Sequence, residues 1–115
     1  MLAQVEERFH GPLTIERTHY GDDVIVLAFS GELDLAVVPA VRELLEPALT
    51  EPCAMVVVDL TELEFIGVKG VSLLYDLAHA RPDKDSLRLL PSRNPGVNKV
   101  LDLTGVPEVI PIVAA

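Results

Sequence analysis

Tryptophan is absent from the 115 residues, aromatic side chains make up only 4% of them, and there is one cysteine, Cys53. With so few aromatics, a core has to be built from Val, Leu, Ile and Ala, which a half-hydrophobic composition supplies. A single cysteine excludes an internal disulfide and a thiolate metal cluster, and it fits a reducing compartment in which Cys53 is a small buried or strand-edge residue. Histidine is nearly as scarce. His10, His19 and His79 contain no pair at ligand spacing, so no metal site is expected. No segment reaches the roughly 18 consecutive apolar residues of a membrane span. Glu6 and Glu7 stand where a secretory signal would be basic and then apolar. The resulting expectation is a cytoplasmic protein without membrane insertion. Positive charge is also in short supply: nine Lys and Arg face 18 Asp and Glu, for a net charge of −9. The basic residues are scattered singly from Arg8 to Lys99, which argues against direct binding to nucleic acid.

What is present is a succession of apolar elements sized for one domain over residues 13–115. Residues 1–12 mix charges and end in His-Gly-Pro, which reads as a flexible N-terminal leader. Residues 13–19 alternate Leu and Ile with Thr, Glu and Arg, as a strand buried on one face does; after a turn at 20–23, residues 24–29 form a second strand hairpinned to the first. A helix opens near Pro39, with Val41, Leu44, Leu45 and Ala48 at i, i+3, i+4 and i+7; Pro47 predicts a kink or an early end.

The chain is organised around residues 55–80. Met55, Val56, Val57 and Val58 lead to Asp59 without alternation, which predicts a central strand covered on both faces. Residues 61–66 read as a short loop and Gly67 as the start of a helix. On that helix Lys69, Ser72, Asp76 and His79 form a narrow wet stripe, while Val68, Val71, Leu74, Tyr75 and Ala78 take the other sides. A polar loop at 81–85 and a short strand at 87–90 follow. Asn94 then caps a helix with Pro95 in its first turn and Gly105 at its end. A last brief strand falls at 109–113, where Pro111 marks an edge. The order ββαβαβαβ describes an α/β fold, a mixed β-sheet packed against helices through right-handed crossovers.

Ser72, Asp76 and His79 share a helix face, but seven residues separate Ser72 from His79, about 10 Å along the axis, where a nucleophile and its base need contact at about 3 Å. Residues 67–70 lack the longer glycine-rich loop and the Lys-Ser/Thr ending of a nucleotide cradle. Glu32 and Asp34 have no partner acid or base, so they read as loop and cap residues. No catalytic residue is expected.

Several stretches together resemble the STAS domain family, and within it the stand-alone anti-sigma factor antagonists. These are residues 29–34 (Phe-Ser-Gly-Glu-Leu-Asp), 56–61 (Val-Val-Val-Asp-Leu-Thr), Phe65 with Ile66, 87–90 (Leu-Arg-Leu-Leu) and 100–106 (Val-Leu-Asp-Leu-Thr-Gly-Val). The resemblance covers nearly the whole chain in the right order. It implies a STAS-like sheet flanked by helices, no enzyme activity and no cofactor. It also implies an anti-sigma factor of the serine-kinase type as partner, transcription regulation through a freed sigma factor, and a monomer or weak dimer. The partner-binding residues it implies are Glu32, Asp34, Gly67, Val68, Lys69, Gly70 and Ser72. The alternative from a different class is a STAS-like non-catalytic subunit of a lipid-transport ATPase complex.

The sequence departs from the family at the switch. Relatives carry Asp-Ser-Ser-Gly at the helix start and are phosphorylated there; this chain has Gly67, Val68, Lys69 and Gly70, with Lys69 in place of the acceptor serine. A helix start carries partial positive charge, which disfavours a cation by about 0.3–1 kcal/mol, so Lys69 must either extend into water or be compensated by an acid. The turn contains no hydroxyl. Incubation with a cognate-type serine kinase and ATP is expected to leave it without phosphate by intact mass and peptide mapping, Thr61 and Ser72 being the nearest hydroxyls to check.

Overall fold

The structure is a computed structural model and describes residues 3–10, 12–34, 38–50, 53–81, 83 and 86–113. The chain runs β1 (Ala3–His10), β2 (Leu13–Tyr20), β3 (Val24–Leu33), α1 (Val38–Thr50), β4 (Met55–Ile66), α2 (Val68–Ala80), β5 (Leu87–Leu90), α3 (Pro95–Leu103) and α4 (Val106–Val109). One five-stranded sheet has the order β1-β2-β3-β4-β5. Its first two pairings are antiparallel and its last two parallel, the mixed α/β arrangement expected.

Residues 3–10, expected within a flexible leader, instead form a strand paired along its length with β2, from Ala3 opposite Tyr20 to His10 opposite Leu13. Charge there is compatible with a strand because this is the sheet's edge, where charged residues discourage pairing with other chains.

The crossovers from β3 to β4 and from β4 to β5 step in the same direction across the sheet. Crossovers of one hand that step the same way lay their helices on one face. Burial agrees. Ile25, Leu27 and Phe29 on β3, Val56, Val58 and Leu60 on β4, and Leu87 and Leu89 on β5 are at most 2% exposed, and they share one core with residues of all four helices. The alternate residues, Val24, Val26 and Ala28 on β3 and Met55, Val57 and Asp59 on β4, are only half-buried. The apolar run of β4, expected to be covered on both faces, is therefore covered on one.

The loop expected at 61–66 is the second half of β4, which continues to Ile66 because the end of β3 keeps pairing with it. β5 has ended by then, and the segment before α3 takes over its edge. Arg93 N donates to the Thr61 carbonyl (3.1 Å), Ser92 Oγ to that of Leu63 (2.7 Å) and Asn94 Nδ2 to that of Glu64 (2.9 Å). Carbonyls that a longer β5 would have satisfied are thus satisfied by a loop.

Two other expectations change. α1 does not end at Pro47 but runs to Thr50; Pro47 and Glu43 are both exposed, so the carbonyl freed by the missing N–H can be hydrated. The strand expected at 109–113 is replaced by α4 and an isolated bridge of Ile112 to Leu89. Gly105 adopts the left-handed conformation (φ 78°) and Pro107 sits in the first turn, starting α4. Leu89 N then bonds the Pro111 carbonyl (3.0 Å) and Val113 N the Leu89 carbonyl (2.9 Å), the two bonds that a proline without N–H permits. The polar loop at 81–85 lies partly outside the described residues. The Asn94 cap is present, its Oδ1 accepting from Gly96 N at 2.9 Å.

Arg81, 8% exposed, ties three segments together. Its Nε donates to Ser86 Oγ (3.1 Å) and its Nη2 to the Cys53 carbonyl (2.9 Å), while Ser86 Oγ donates to the Asp83 carbonyl (2.6 Å). Arg81→Met keeps the apolar stem but removes these donors. It is expected to cost about 1–3 kcal/mol, read as a lower urea midpoint at unchanged m-value.

Candidate partner-binding site

The site is built where β3 ends and α2 begins. From Val24–Met55 to Ala28–Asp59 the two strands keep one parallel register; it then shifts between Ala28 and Ser30 and again between Gly31 and Glu32. Gly31 has φ 100°, and a Cβ there would strike the Pro12 carbonyl oxygen, so both strain and space require glycine. After the shifts Glu32 pairs with Phe65 and Leu33 with Ile66, which carries Asp34 to the mouth of α2. Gly67 N donates to the Leu33 carbonyl (2.9 Å), and Val71 N to the Gly67 carbonyl (3.0 Å).

At Gly70 the requirement is space. Gly67 has an extended φ of −92°, open to any residue, and a Cβ there would meet Asp34 Oδ1, the far end of an exposed side chain. A Cβ at Gly70 would lie 2.8 Å from the Leu33 carbonyl oxygen and 2.9 Å from Ile66 Cγ1. These contacts press α2 against the end of β3 and place the Asp34 carboxylate on the helix start. The first turn of α2 has no acid of its own, so Asp34 supplies the negative charge that complements the helix dipole.

The sequence-derived residues Glu32, Asp34, Gly67, Val68 and Gly70 thus come together at one end of the sheet, with exposed Lys69 and Ser72 on the same end of α2. Val68 departs from its expected place. It is 82% exposed instead of facing the core, because Gly70, Val71, Leu73, Leu74 and Leu77 form the buried side. Phe65, 45% exposed, lies next to Gly67 and opposite Glu32; it stands in a stretch that carries the family resemblance but not among the partner-binding residues that the resemblance implies. Its signal was an aromatic between the buried Leu63 and Ile66 in a chain with few aromatics. Asp76 and His79 are engaged elsewhere: Asp76 pairs with Arg42 of α1, and His79 Nδ1 lies 2.7 Å from the Tyr75 carbonyl oxygen. No helix among the described residues is long and apolar enough to cross a membrane.

In an open helix Gly→Ala gains up to about 1 kcal/mol. At Gly70 the sign should reverse, because the added methyl meets a backbone oxygen that cannot swing aside. Gly70→Ala is expected to cost about 1–3 kcal/mol and to lower the melting temperature by several degrees in a calorimetric scan.

Solved structures share this architecture. An anti-sigma factor antagonist from Mycobacterium paratuberculosis superposes with a TM-score of 0.71 at 21% identity, over 96% of this chain and 85% of that one. The unphosphorylated antagonist SpoIIAA gives 0.73 at 20% identity, over 88% and 87%. Its phosphorylated Bacillus form gives 0.66 at 19% identity, over 88% and 90%. At such identities the likeness establishes the fold. No curated protein matches the chain. A family model described as "Mlab, STAS domain" matches residues 17–113, most of the chain and the whole of the β3, β4 and α2 framework around the site, and the chain therefore belongs to the STAS domain family.

Proposed function

We propose that the protein is an anti-sigma factor antagonist, a non-catalytic module that binds a serine-kinase-type anti-sigma factor and is not controlled by phosphorylation at the helix-start turn. The observation that carries this reading is the pair of exposed apolar side chains, Phe65 and Val68, beside the junction of Asp34 with Gly67. Large apolar groups left in water next to fixed charge are typical of surfaces that a protein partner covers. The antagonist fold of the solved relatives supports the choice of partner. In the proposed interface Glu32 and Asp34 flank the contact, Val68 and Phe65 fill it, and Lys69 and Ser72 border it. Gly67 and Gly70 allow α2 to sit close enough. Phosphate at a helix start adds about −1.5 to −2 charge and repels an acidic or desolvated partner surface. With no hydroxyl in the turn, and a lysine that cannot become negative, the module stays competent whatever the kinase does.

A second reading, the non-catalytic subunit of a lipid-transport ATPase complex, is favoured by the description of the matching family model, which names Mlab and not an antagonist. The two readings share the face and differ in the partner that covers it.

Calorimetric titration against a serine-kinase-type anti-sigma factor tests the first reading. Lys69→Glu is expected to weaken binding by about tenfold or more, equivalent to about 1.4 kcal/mol, and Lys69→Ala by less. Both should melt close to the wild type, since Lys69 is exposed. Equal affinities for all three proteins would remove the turn from the interface, and binding only to a transport ATPase subunit would select the second reading.

A further inference from the structure

β4 carries two extra residues where it runs beside the end of β3. From Ala28 to Ser30 β3 advances by two residues while β4 advances by three, Asp59 to Glu62; from Gly31 to Glu32 β3 advances by one while β4 advances by two, Leu63 to Phe65. The buried side chains in this half of β4 are therefore three apart, at Leu60, Leu63 and Ile66, where a regular strand spaces them by two. A regular strand would have turned Glu62 and Glu64 toward the helices after Leu60. The two bulges leave both carboxylates in water beside the exposed Phe65.

Charge around this ring is one-sided. Glu32 stands directly across from Phe65, at the strand spacing of about 4.8 Å, and Glu64 precedes it in the chain. Neither carboxylate has an ion-pair partner among the described residues. Of the bases at this end, Arg93 is held by Glu62 at 2.9 Å, and Lys69 lies on the first turn of α2. An apolar group placed on Phe65 would strip water from Glu32 and Glu64 and give nothing back, which is costly for a carboxylate. A cation meets the ring and the acids together. Lysine is compact, point-like and strongly hydrated, whereas arginine is planar, more weakly hydrated, stacks on an aromatic face and bonds carboxylates through a fork of N–H donors.

We infer that this end of the sheet is an arginine-binding surface, on which a basic segment of the partner lays a guanidinium against Phe65 and bonds it to Glu32 and Glu64. The inference rests on the reading of this end as the partner-binding face, and it adds the chemistry of the partner's side. The net charge of −9 draws such a segment in. Lys69, exposed and of opposite sign, orients it: a partner with arginine over Phe65 and an acid over Lys69 seats one way round. An open cleft lined by residues 61–64, Arg93 and Asn94 begins at Glu64, next to the ring, and gives room to the residues that flank the arginine.

Nitrogen-15 NMR titration with the acetylated, amidated peptide Gly-Arg-Gly-Arg-Gly, and with its lysine counterpart, tests the inference. The arginine peptide should shift the amides of residues 32–34 and 64–67 saturably, with a dissociation constant in the millimolar range, and the lysine peptide should bind about threefold or more weaker. Phe65→Leu should bring the arginine peptide down to the lysine level. Glu32→Gln and Glu64→Gln should each weaken both peptides about threefold, and added salt should weaken both further. Unchanged amide spectra away from the site confirm that the variants fold. Shifts that do not saturate or that centre elsewhere, equal affinity for the two peptides, or an arginine preference that survives Phe65→Leu would each overturn the inference. No anti-sigma factor is present in this titration, so its failure is separate from failure of the proposed function, which the titration against the anti-sigma factor reads.

Discussion

The parallel pairing of β3 with β4 is the constraint on which the rest depends. Its first half aligns Ile25, Leu27 and Phe29 with Val56, Val58 and Leu60 on the helix side, so that helices from both crossovers and the C-terminal segment meet one continuous apolar surface. Its second half breaks register, and the two shifts carry the end of β3 onto the start of α2. A regular ladder would have continued the strand past the helix. The slipped one delivers the Leu33 carbonyl to Gly67 N and the Asp34 carboxylate to the helix end. Core and site are consequences of the same pair of strands.

Around that ladder the polar groups are spent locally. Beyond the end of β5, the carbonyls of Thr61, Leu63 and Glu64 find donors in Ser92, Arg93 and Asn94. Ser92 N in turn donates to Asn98 Oδ1, and the Ser92 carbonyl accepts from Asn98 Nδ2, which fixes the loop to the first turns of α3. Arg81 performs the same service for the segments that lead into β4 and β5. Exposed ion pairs such as Arg93–Glu62 at 2.9 Å add little, about 0–1 kcal/mol each. Apolar burial holds the fold, and buried hydrogen bonds decide where its loops lie.

The result is a molecule with two unlike surfaces that its own chain leaves incomplete. One is small and sharply placed, with Phe65 and Val68 standing in water beside Asp34. The other is broad and shallow, the half-buried valines of the open sheet face. A tight, close-packed helix start suits recognition of a specific partner.

The amino-acid sequence by itself determined most of the framework, because the signals involved are local. Alternation placed β2, the Asn94-Pro95 pair placed the start of α3, and the valine run before Asp59 placed the first half of β4, an interior strand. The residues of the proposed site came from the family resemblance: Asp34 closes one of the matching stretches, whereas Gly67 and Gly70 belong to the turn at which the chain departs from the family. Tertiary structure alone decided what those motifs do in space. Residues 3–10 form a strand only because β2 offers an edge, and residues 61–66 stay extended only because β3 and the loop before α3 supply partners on both sides. Residues 109–113 keep a single bridge because Pro111 cannot donate. Which side of β4 is open follows from both crossovers stepping the same way, and the exposure of Val68 follows from Gly70 turning its own face of α2 against Leu33. Pairing partners, sheet faces and helix rotation are relations between distant segments, and periodicity along one segment carries no record of them.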